Sequence, residues 1–454
     1  MSDEDALLAA ISAHPDEDTP RLAYADWLDE HGDPDRAEFI RLQIGLWPMM
    51  KAGAPAWPAV RERVEPLQAA HALRWAGSLV PLLPGEGVSF NRGFVDTIGV
   101  TDRNVQANWP QAVGRGMAEH PIRRVWLAGV PAADRGRLLD ELPIWPQASV
   151  LRELQFIGGP PVTAGELAAI GGNPHLRRLT RLGLGAPVEV AALTALTREP
   201  LATHLTALKA QAPLGSAEPW CDALGGLLAG SPVEQLDIVT HDHDHSWIPV
   251  ILNAVSGSRV TNLDLGFCWV RDDDLTTLAR WPGAGELRAL NLDDHHATPA
   301  GIGRLVADAD LRSLARFSAT PCWSEDMADA GVAWAALLAA PFTDRLTDLD
   351  VAFWGLADAD FGPLGRGRLP NLQHFDLSYT GCGDAAATTV AGSAFVPQLR
   401  SLCLLECGIT DAGAAALLGP DFPRLERLAL SKNPIGDDVR TRLRARFGGR
   451  VELD

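Results

Sequence analysis

A short apolar pattern recurs along most of this 454-residue chain at an almost constant interval. In each copy, an apolar residue is followed three and five positions later by two more, as in Leu399, Leu402 and Leu404. Successive copies are separated by 26 to 29 residues, except for one step of 32. The twelve copies begin at Ile122, Leu151, Leu179, Leu205, Val233, Val260, Leu287, Leu314, Leu346, Leu372, Leu399 and Leu425. Random apolar runs do not keep a period, so the chain must be built from repeated structural units.

One unit can be interpreted in full over residues 398–418. The alternation of Leu402 and Leu404 with polar or small residues indicates a strand with one buried face. Thr410 is a favourable N-cap for a helix, and the Gly–Pro pair at 419–420 ends that helix. A single unit cannot bury its own leucines. Neighbouring units must therefore stack and form a solenoid.

The pattern L-x-x-L-x-L-x-x-C-x-I at residues 399–409 resembles the leucine-rich repeat. The repeat length resembles that of the ribonuclease-inhibitor-like class. The resemblance implies an α/β horseshoe with a parallel inner sheet and outer helices. The repeat at Leu205 departs from the pattern, because Ala210 stands at its third apolar position and Pro213 follows shortly after.

The N-terminal residues carry helix signals in place of the triads. Helix starts with proline in the first turn, at Thr19 and Asp33, and a stop at Gly32 predict a small all-α domain. The run 16–43 resembles the bacterial repeat-companion domain that precedes leucine-rich repeats, and this resemblance implies no biochemical activity. The matching residues are Asp18, Arg21, Leu22, Ala25, Asp26, Trp27, Leu28, Asp29, Gly32, Asp33, Arg36, Ala37, Glu38 and Ile40. We predict a companion domain over 1–47, a helical spacer that caps the first coil over 48–86, and the solenoid over 87–454.

Four polar residues of the companion segment allow two interpretations. Asp26, Asp29, Arg36 and Glu38 could form a docking surface, or they could serve as caps and ion pairs between short helices. Their spacing and the helix-start signals favour the second interpretation.

Composition excludes several classes of protein. The formal net charge of -19 argues against binding to nucleic acid or anionic membranes and favours a basic partner. No apolar run approaches the roughly 18 residues of a membrane span, and the acidic N-terminus predicts no secretory leader. Six scattered cysteines indicate reduced thiols, so we expect a cytoplasmic protein. We also expect the protein to be a monomer.

The inner face of the predicted sheet is the expected binding site for a protein partner. In each triad, the residue between the last two apolar positions should point to this face, and a second column lies two positions beyond the triad. The predicted binding residues are Asp237, Asp264, Asn291, Asp350 and Asp376, with Phe267, Phe353 and Tyr379 from the second column. A solvated acidic face with a few rings folded onto it is the alternative. Reversing the four aspartates to lysine is expected to abolish partner capture and leave the melting temperature unchanged.

Two histidine clusters raise the question of a metal site. The candidate ligands are His241, His243, His245, His295 and His296. His241, Cys268 and His295 share one turn position in three successive coils, but the outer two coils lie about 9.6 Å apart, too far for one zinc ion. We therefore expect these residues to bond the turning backbone, and we expect no metal and no cofactor.

Catalytic signatures are absent from the sequence: it has no phosphate-binding loop, no nucleophile elbow and no H-E-x-x-H zinc motif. The first hypothesis is a non-enzymatic interaction scaffold. The alternatives are an adaptor or activator of a separate enzyme, a metal-binding protein, or an enzyme of its own.

Overall fold

The computed structural model describes residues 2–52, 57–82, 87–103, 105, 108–215, 217–241, 247–322, 327, 329–362, 364 and 369–454. The chain divides into two compact units, the first of which ends at Val233 and the second of which begins at Glu234.

In the described part of the chain, four α-helices precede the first strand: α1 (Asp3–Ala13), α2 (Thr19–Glu30), α3 (Pro34–Ala52) and α4 (Trp57–Trp75). Ser2 and Asp5 form a capping box at the start of α1, and Pro20 lies in the first turn of α2. The four polar residues of this segment tie elements of the first unit together. Arg41 pairs with Asp26 and Asp29, Arg63 pairs with Glu38, and Arg36 donates to the carbonyls of Trp75 and Gly93.

The N-terminal helices share an apolar cluster with the sheet of the first unit. The cluster consists of Ile11, Tyr24, Ala25, Leu28, Ala37, Ile40 and Phe94. Phe94 begins the second strand, so the helices are joined to the solenoid by a common core.

Among its described residues, the first unit contains six strands. They are β1 (Val88–Asn91), β2 (Phe94–Thr101), β3 (Arg124–Ala128), β4 (Glu153–Ile157), β5 (Arg181–Pro187) and β6 (Ala207–Gln211). β1 and β2 form an antiparallel hairpin, and each later strand pairs in parallel with its predecessor. The helices between and after these strands are α5 (Trp109–Glu119), α6 (Ala132–Glu141), α7 (Ala164–Gly171), α8 (Val190–Leu196) and α9 (Ala217–Gly230).

The second unit contains β7 (Gln235–Val239), β8 (Asn262–Asp264), β9 (Ala289–Asn291), β10 (Arg316–Ser318), β11 (Asp348–Asp350), β12 (His374–Asp376), β13 (Ser401–Cys403), β14 (Arg427–Ala429) and β15 (Val451–Glu452). All of these pairings are parallel and follow chain order. The helices are α10 (Ile248–Val255), α11 (Asp272–Arg280), α12 (Pro299–Asp308), α13 (Ala330–Ala339), α14 (Gly383–Ala391), α15 (Asp411–Ala416) and α16 (Asp437–Phe447).

Each of the twelve triads contributes a strand, and the second apolar residue of each is in register with that of its neighbour within its unit. In the second unit this buried column runs Leu236, Leu263, Leu290, Phe317, Leu349, Phe375, Leu402 and Leu428, each at most 2% exposed. Burial of each side chain contributes about 1.5–3 kcal/mol. The α/β solenoid predicted from the period is confirmed.

Helices of neighbouring coils are joined by a carboxylate clasp. Asp384 of α14 accepts hydrogen bonds from Thr410 N (2.8 Å), Thr410 Oγ1 (2.6 Å) and Gly413 N (3.0 Å) at the start of α15. Burial acts to raise the pKa of Asp384, but these bonds lower it overall. A side chain at Gly413 would collide with the carboxylate. Asp272 binds Thr298 at the start of α12 in the same way.

Candidate functional site

The predicted acidic column lies on one face of the second unit's sheet. We call this face the open face, because most of its residues, which alternate along the strands with those of the buried column, are half-exposed. Asp237 pairs with Asp264 and Asp264 with Asn291, while Asp350 pairs directly with Asp376. Ser318 of β10 separates the two acidic groups. The strand register thus places the predicted neighbours side by side.

Four members of this column also hold the turn that follows their strand. The side-chain oxygens of Asp264, Asn291, Asp350 and Asp376 accept hydrogen bonds from the amide two residues ahead, at 2.9, 2.7, 3.0 and 2.8 Å. Aspartate and asparagine make such turns readily. Replacement by lysine removes this bond as well as the charge. The expectation that charge reversal leaves the melting temperature unchanged is therefore revised, and asparagine becomes the appropriate substitution.

The aromatic column stands at backbone positions that normally favour glycine. Phe267, Phe353 and Tyr379 have φ values of 62°, 62° and 59°, in the left-handed region. That conformation costs a non-glycine residue about 1–2 kcal/mol. The rings of Phe353 and Tyr379 stack in parallel at 4.5 Å, and Phe267 is 55% exposed. Phe267 thus keeps a large exposed ring at a strained position, whereas the stacked rings of Phe353 and Tyr379 are half-buried.

The next two coils continue the column with charged side chains. Glu406 and Lys432 also have positive φ, and they form an ion pair at 3.4 Å. The Lys432 ammonium lies 5.8 Å from the Tyr379 ring centre. The chain therefore already places a cation against one of its own aromatic rings, a contact that a partner's basic side chain could also make.

A groove of about 430 Å³ runs across the open face of the second unit from β7 to β14. Its lining includes Asp264, Asn291, Asp350 and Asp376 of the predicted column. It also includes four charged or titratable residues that the sequence analysis missed: Arg316, Asp348, His374 and Arg427. These stand two positions before the column residues, so the strand period of two could have identified them. The face is consequently of mixed charge and not purely acidic.

Burial alters the titration of two groups in the groove. Burial, followed by repulsion from Asp376, raises the pKa of Asp350 to about 7. Burial and the same neighbour raise the pKa of the Cys403 thiol to about 11, which keeps the thiol protonated at neutral pH. Arg427 donates to Cys403 Sγ at 3.1 Å and holds Glu452 through two bonds of 2.9 Å.

Side chains at the turn position shared by His241, Cys268 and His295, eight residues after the start of each triad, form hydrogen bonds with the turning backbone in several coils. Asn433 shows this bonding most fully, since its side chain accepts from the amides of Cys407 and Ile409 and donates to the carbonyl of Leu404. Cys268 donates to the carbonyl of Ile238 at 3.1 Å, and burial raises its pKa above the usual range.

His295 is fully buried at the same position. Its Nδ1 accepts from the amide of Ala297 at 3.2 Å, so its Nε2 donates to the carbonyl of Ala319 at 3.3 Å. His241 is exposed, and His296 stacks on Trp269 at 4.1 Å. His243 and His245 lie outside the described residues. Within the described part of the chain, no three potential ligands converge on a metal position.

The open face of the first unit has a different character. Its column runs Gly99, Trp126, Gln155, Gly183 and Lys209. The Trp126 ring lies against Gly99, where a side chain would approach the indole to 3.0 Å. A shallower groove of about 350 Å³ is lined by Arg124, Trp126, Glu153, Gln155 and Ile157, among others.

Comparison with known proteins shows the fold. No protein-family model matches the chain, and no curated protein matches it. Among solved structures, the yeast complex of Rad7 and Elc1 contains a chain that is 17% identical, with a TM-score of 0.50 over 87% of this chain and 93% of that one. A Bacteroides fragilis protein is 13% identical, with a TM-score of 0.33 over 58% of this chain and 69% of its own. The first likeness, together with the parallel strands, shows a leucine-rich-repeat-like solenoid.

Among the helices of the described residues, none combines the length and apolarity that a bilayer crossing requires.

Proposed function

We propose that this protein is a non-enzymatic scaffold that binds a protein partner on the open face of its second unit. One observation carries the proposal: three of the strands that line the groove, β8, β11 and β12, lead into turns that carry Phe267, Phe353 and Tyr379 at φ values near 60°. Asp294, Glu406 and Lys432 share this conformation in other coils, so the aromatic surface is what distinguishes these three turns. Aromatic side chains are enriched at the centres of protein interfaces.

The charges of the groove favour a basic partner. Asp264, Asp350 and Asp376 lie in the groove, and the chain as a whole carries a net charge of -19. Such a field attracts basic proteins and repels nucleic acid. The similarity to a chain that was crystallised in complex with a second protein adds support to the scaffold role.

We further place the scaffold in the cytoplasm as a monomer. Five of the six cysteines, Cys221, Cys268, Cys382, Cys403 and Cys407, are buried and form no disulfide. Unpaired buried thiols suit a reducing compartment. The companion domain over residues 1–47 remains part of the proposal, with its ion pairs serving the helical assembly and not a second docking surface.

The test is quantitative capture by the immobilised full chain from extract of the native cell. The binding-face variant combines Phe267→Ser, Asp264→Asn and Asp376→Asn. The matched control combines Ile157→Ser, Asp273→Asn and Asp421→Asn, which removes the same number of charges and an exposed apolar side chain outside the groove. We expect a partner whose recovery falls about tenfold or more with the first variant only. Equal recovery with both variants would contradict the proposed face.

A further inference from the structure

The order of charges along the groove specifies the partner more closely, on the condition that the proposed binding face is correct. Asp264 with Phe267 forms one acid–aromatic unit on the coil of β8. Asp350 and Asp376, with the stacked Phe353 and Tyr379, form a second on the coils of β11 and β12. In each unit the carboxylate bonds the amide that directly precedes the ring, so acid and ring are fixed relative to each other.

Among the described residues that line the groove, one cation, Arg316, stands between these two acid–aromatic units. Arg316 of β10 is exposed and lines the groove. With the Asn262 amide oriented to satisfy its neighbours, its oxygen accepts from Arg316 Nη2 at 3.2 Å. Within the described ranges, no carboxylate forms an ion pair with this guanidinium. An acidic side chain supplied by the partner would complete the site.

The spacing of the two acid–aromatic units matches an extended occupant. Three strand steps separate β8 from β11, which is about 14 Å at 4.8 Å per step. Residues i and i+4 of an extended segment are separated by about 13 Å, close to that distance.

In an extended segment, residues i, i+2 and i+4 project to the same side. The outer two can reach the two acid–aromatic units while the middle one approaches Arg316. We infer that the partner presents an extended segment of the form basic-x-acidic-x-basic, whose arginine or lysine side chains bind at Asp264 and at the Asp350–Asp376 pair. The aliphatic stems of those side chains pack on Phe267 and on the stacked rings.

The probe is a random dodecapeptide library displayed on phage and panned against the full chain. The comparison chains are the triple variant Asp264→Asn, Asp350→Asn, Asp376→Asn and a charge-matched control, Asp273→Asn, Asp421→Asn, Asp438→Asn. Asparagine keeps the turn bond, as Asn291 does in the natural chain. We expect enrichment of the basic-x-acidic-x-basic pattern on the wild type and the control only. Affinity for the triple variant, measured by fluorescence anisotropy of one enriched peptide, should fall about tenfold or more.

A charge swap tests the middle position. The Arg316→Glu variant should bind the enriched peptide more weakly than the wild type does. Replacing the acidic residue of the peptide with lysine should restore its affinity for this variant. Peptides that depend on the groove but lack the two basic residues would overturn this inference and leave the proposed face standing. Basic peptides that bind the triple variant equally well, or a library that yields no binder, would overturn both.

Discussion

The two units use the same triads but fill the same turn position differently. Two residues beyond the triad, two coils of the first unit have glycine, at Gly129 and Gly158, with φ values of 66° and 61°, and the other two have Ala186 and Ala212. The second unit has Phe267, Phe353 and Tyr379 there, in the same left-handed conformation. Glycine meets the backbone requirement without a side chain. The comparison teaches that the left-handed conformation recurs in both units, whereas aromatic rings occupy it, among the described residues, in the second unit alone.

Most strands of the second unit are shorter than those of the first. β3 and β4 run five residues each, as does β7, whereas β8, β9, β11 and β12 run three. Each of the four short strands ends on the residue whose side chain accepts from the amide two positions on. In β3 and β4 the equivalent residues are Trp126 and Gln155, and the pairing continues. β7 keeps five residues although Asp237 stands at this position, so the aspartate alone does not set the strand length.

The largest expected effect concerns this turn bond. Asp264→Ala leaves the buried amide of Gly266 without its acceptor and should lower the free energy of unfolding by about 1–3 kcal/mol. Asp264→Asn should stay within about 0.5 kcal/mol of the wild type because the amide oxygen replaces the carboxylate. Gln155→Ala is the control in the first unit. Urea unfolding of the three variants decides the matter, and equal losses for Ala and Asn would show that the bond is unimportant.

The next effect is the pH dependence of Asp350. Its pKa of about 7 lies above that of the unfolded chain, so the folded state binds the proton more tightly, and this group's contribution to stability is lost as pH rises from about 4 to 7. Asp350→Asn does not titrate. The free energy of unfolding of this variant, relative to that of the wild type, should therefore increase by about 1–2 kcal/mol between pH 5 and pH 8. Melting temperatures of both proteins measured across this pH range check the change.

Asp273→Asn controls for simple loss of charge at an exposed position. Because His374 lines the same groove, the comparison is repeated in a His374→Gln background. An advantage that stays constant with pH would refute the raised pKa.

The smallest effect tests the glycine comparison itself. Phe267→Gly should raise the free energy of unfolding by about 0.5 kcal/mol, since relief of about 1–2 kcal/mol of strain exceeds the entropy cost of glycine. Gly129→Ala should lower it by about 1 kcal/mol, because alanine must adopt a φ near 66°. Thermal unfolding of both variants gives the two signs. A loss of stability in Phe267→Gly would mean that the ring serves the fold.

Much of the fold could be predicted from the sequence because the period of the triads fixes strands, register and facing columns together. The buried column, the acidic neighbours Asp350 and Asp376, and the turn role of His295 all follow from position within the repeat. The turn bonds of the aspartates were not anticipated, since they depend on the chain's course two residues ahead. The column of Arg316 and His374 was overlooked although the same periodicity contains it.

Other features depend on contacts between distant parts of the sequence. The apolar cluster that joins the N-terminal helices to Phe94 brings together residues more than 80 positions apart, so the proposed boundary at residue 47 stays a prediction. The clasp between Asp384 and Thr410 joins two coils and is not visible in either repeat alone. The identity of the partner depends on a second molecule, and the sequence constrains only its chemistry.

The clasp gives the array a direction. The carboxylate belongs to the earlier coil and the amides it binds belong to the later one, for Asp384 with Thr410, Asp272 with Thr298 and Asp411 with Gly436. Peeling away the last coil releases a carboxylate, which water solvates well, but removing an earlier coil strips hydrogen-bond acceptors from the helix start behind it. Fraying should thus proceed more easily from the C-terminal end. The force needed to detach a coil should accordingly be lower at the C-terminal end of the solenoid than at its N-terminal end.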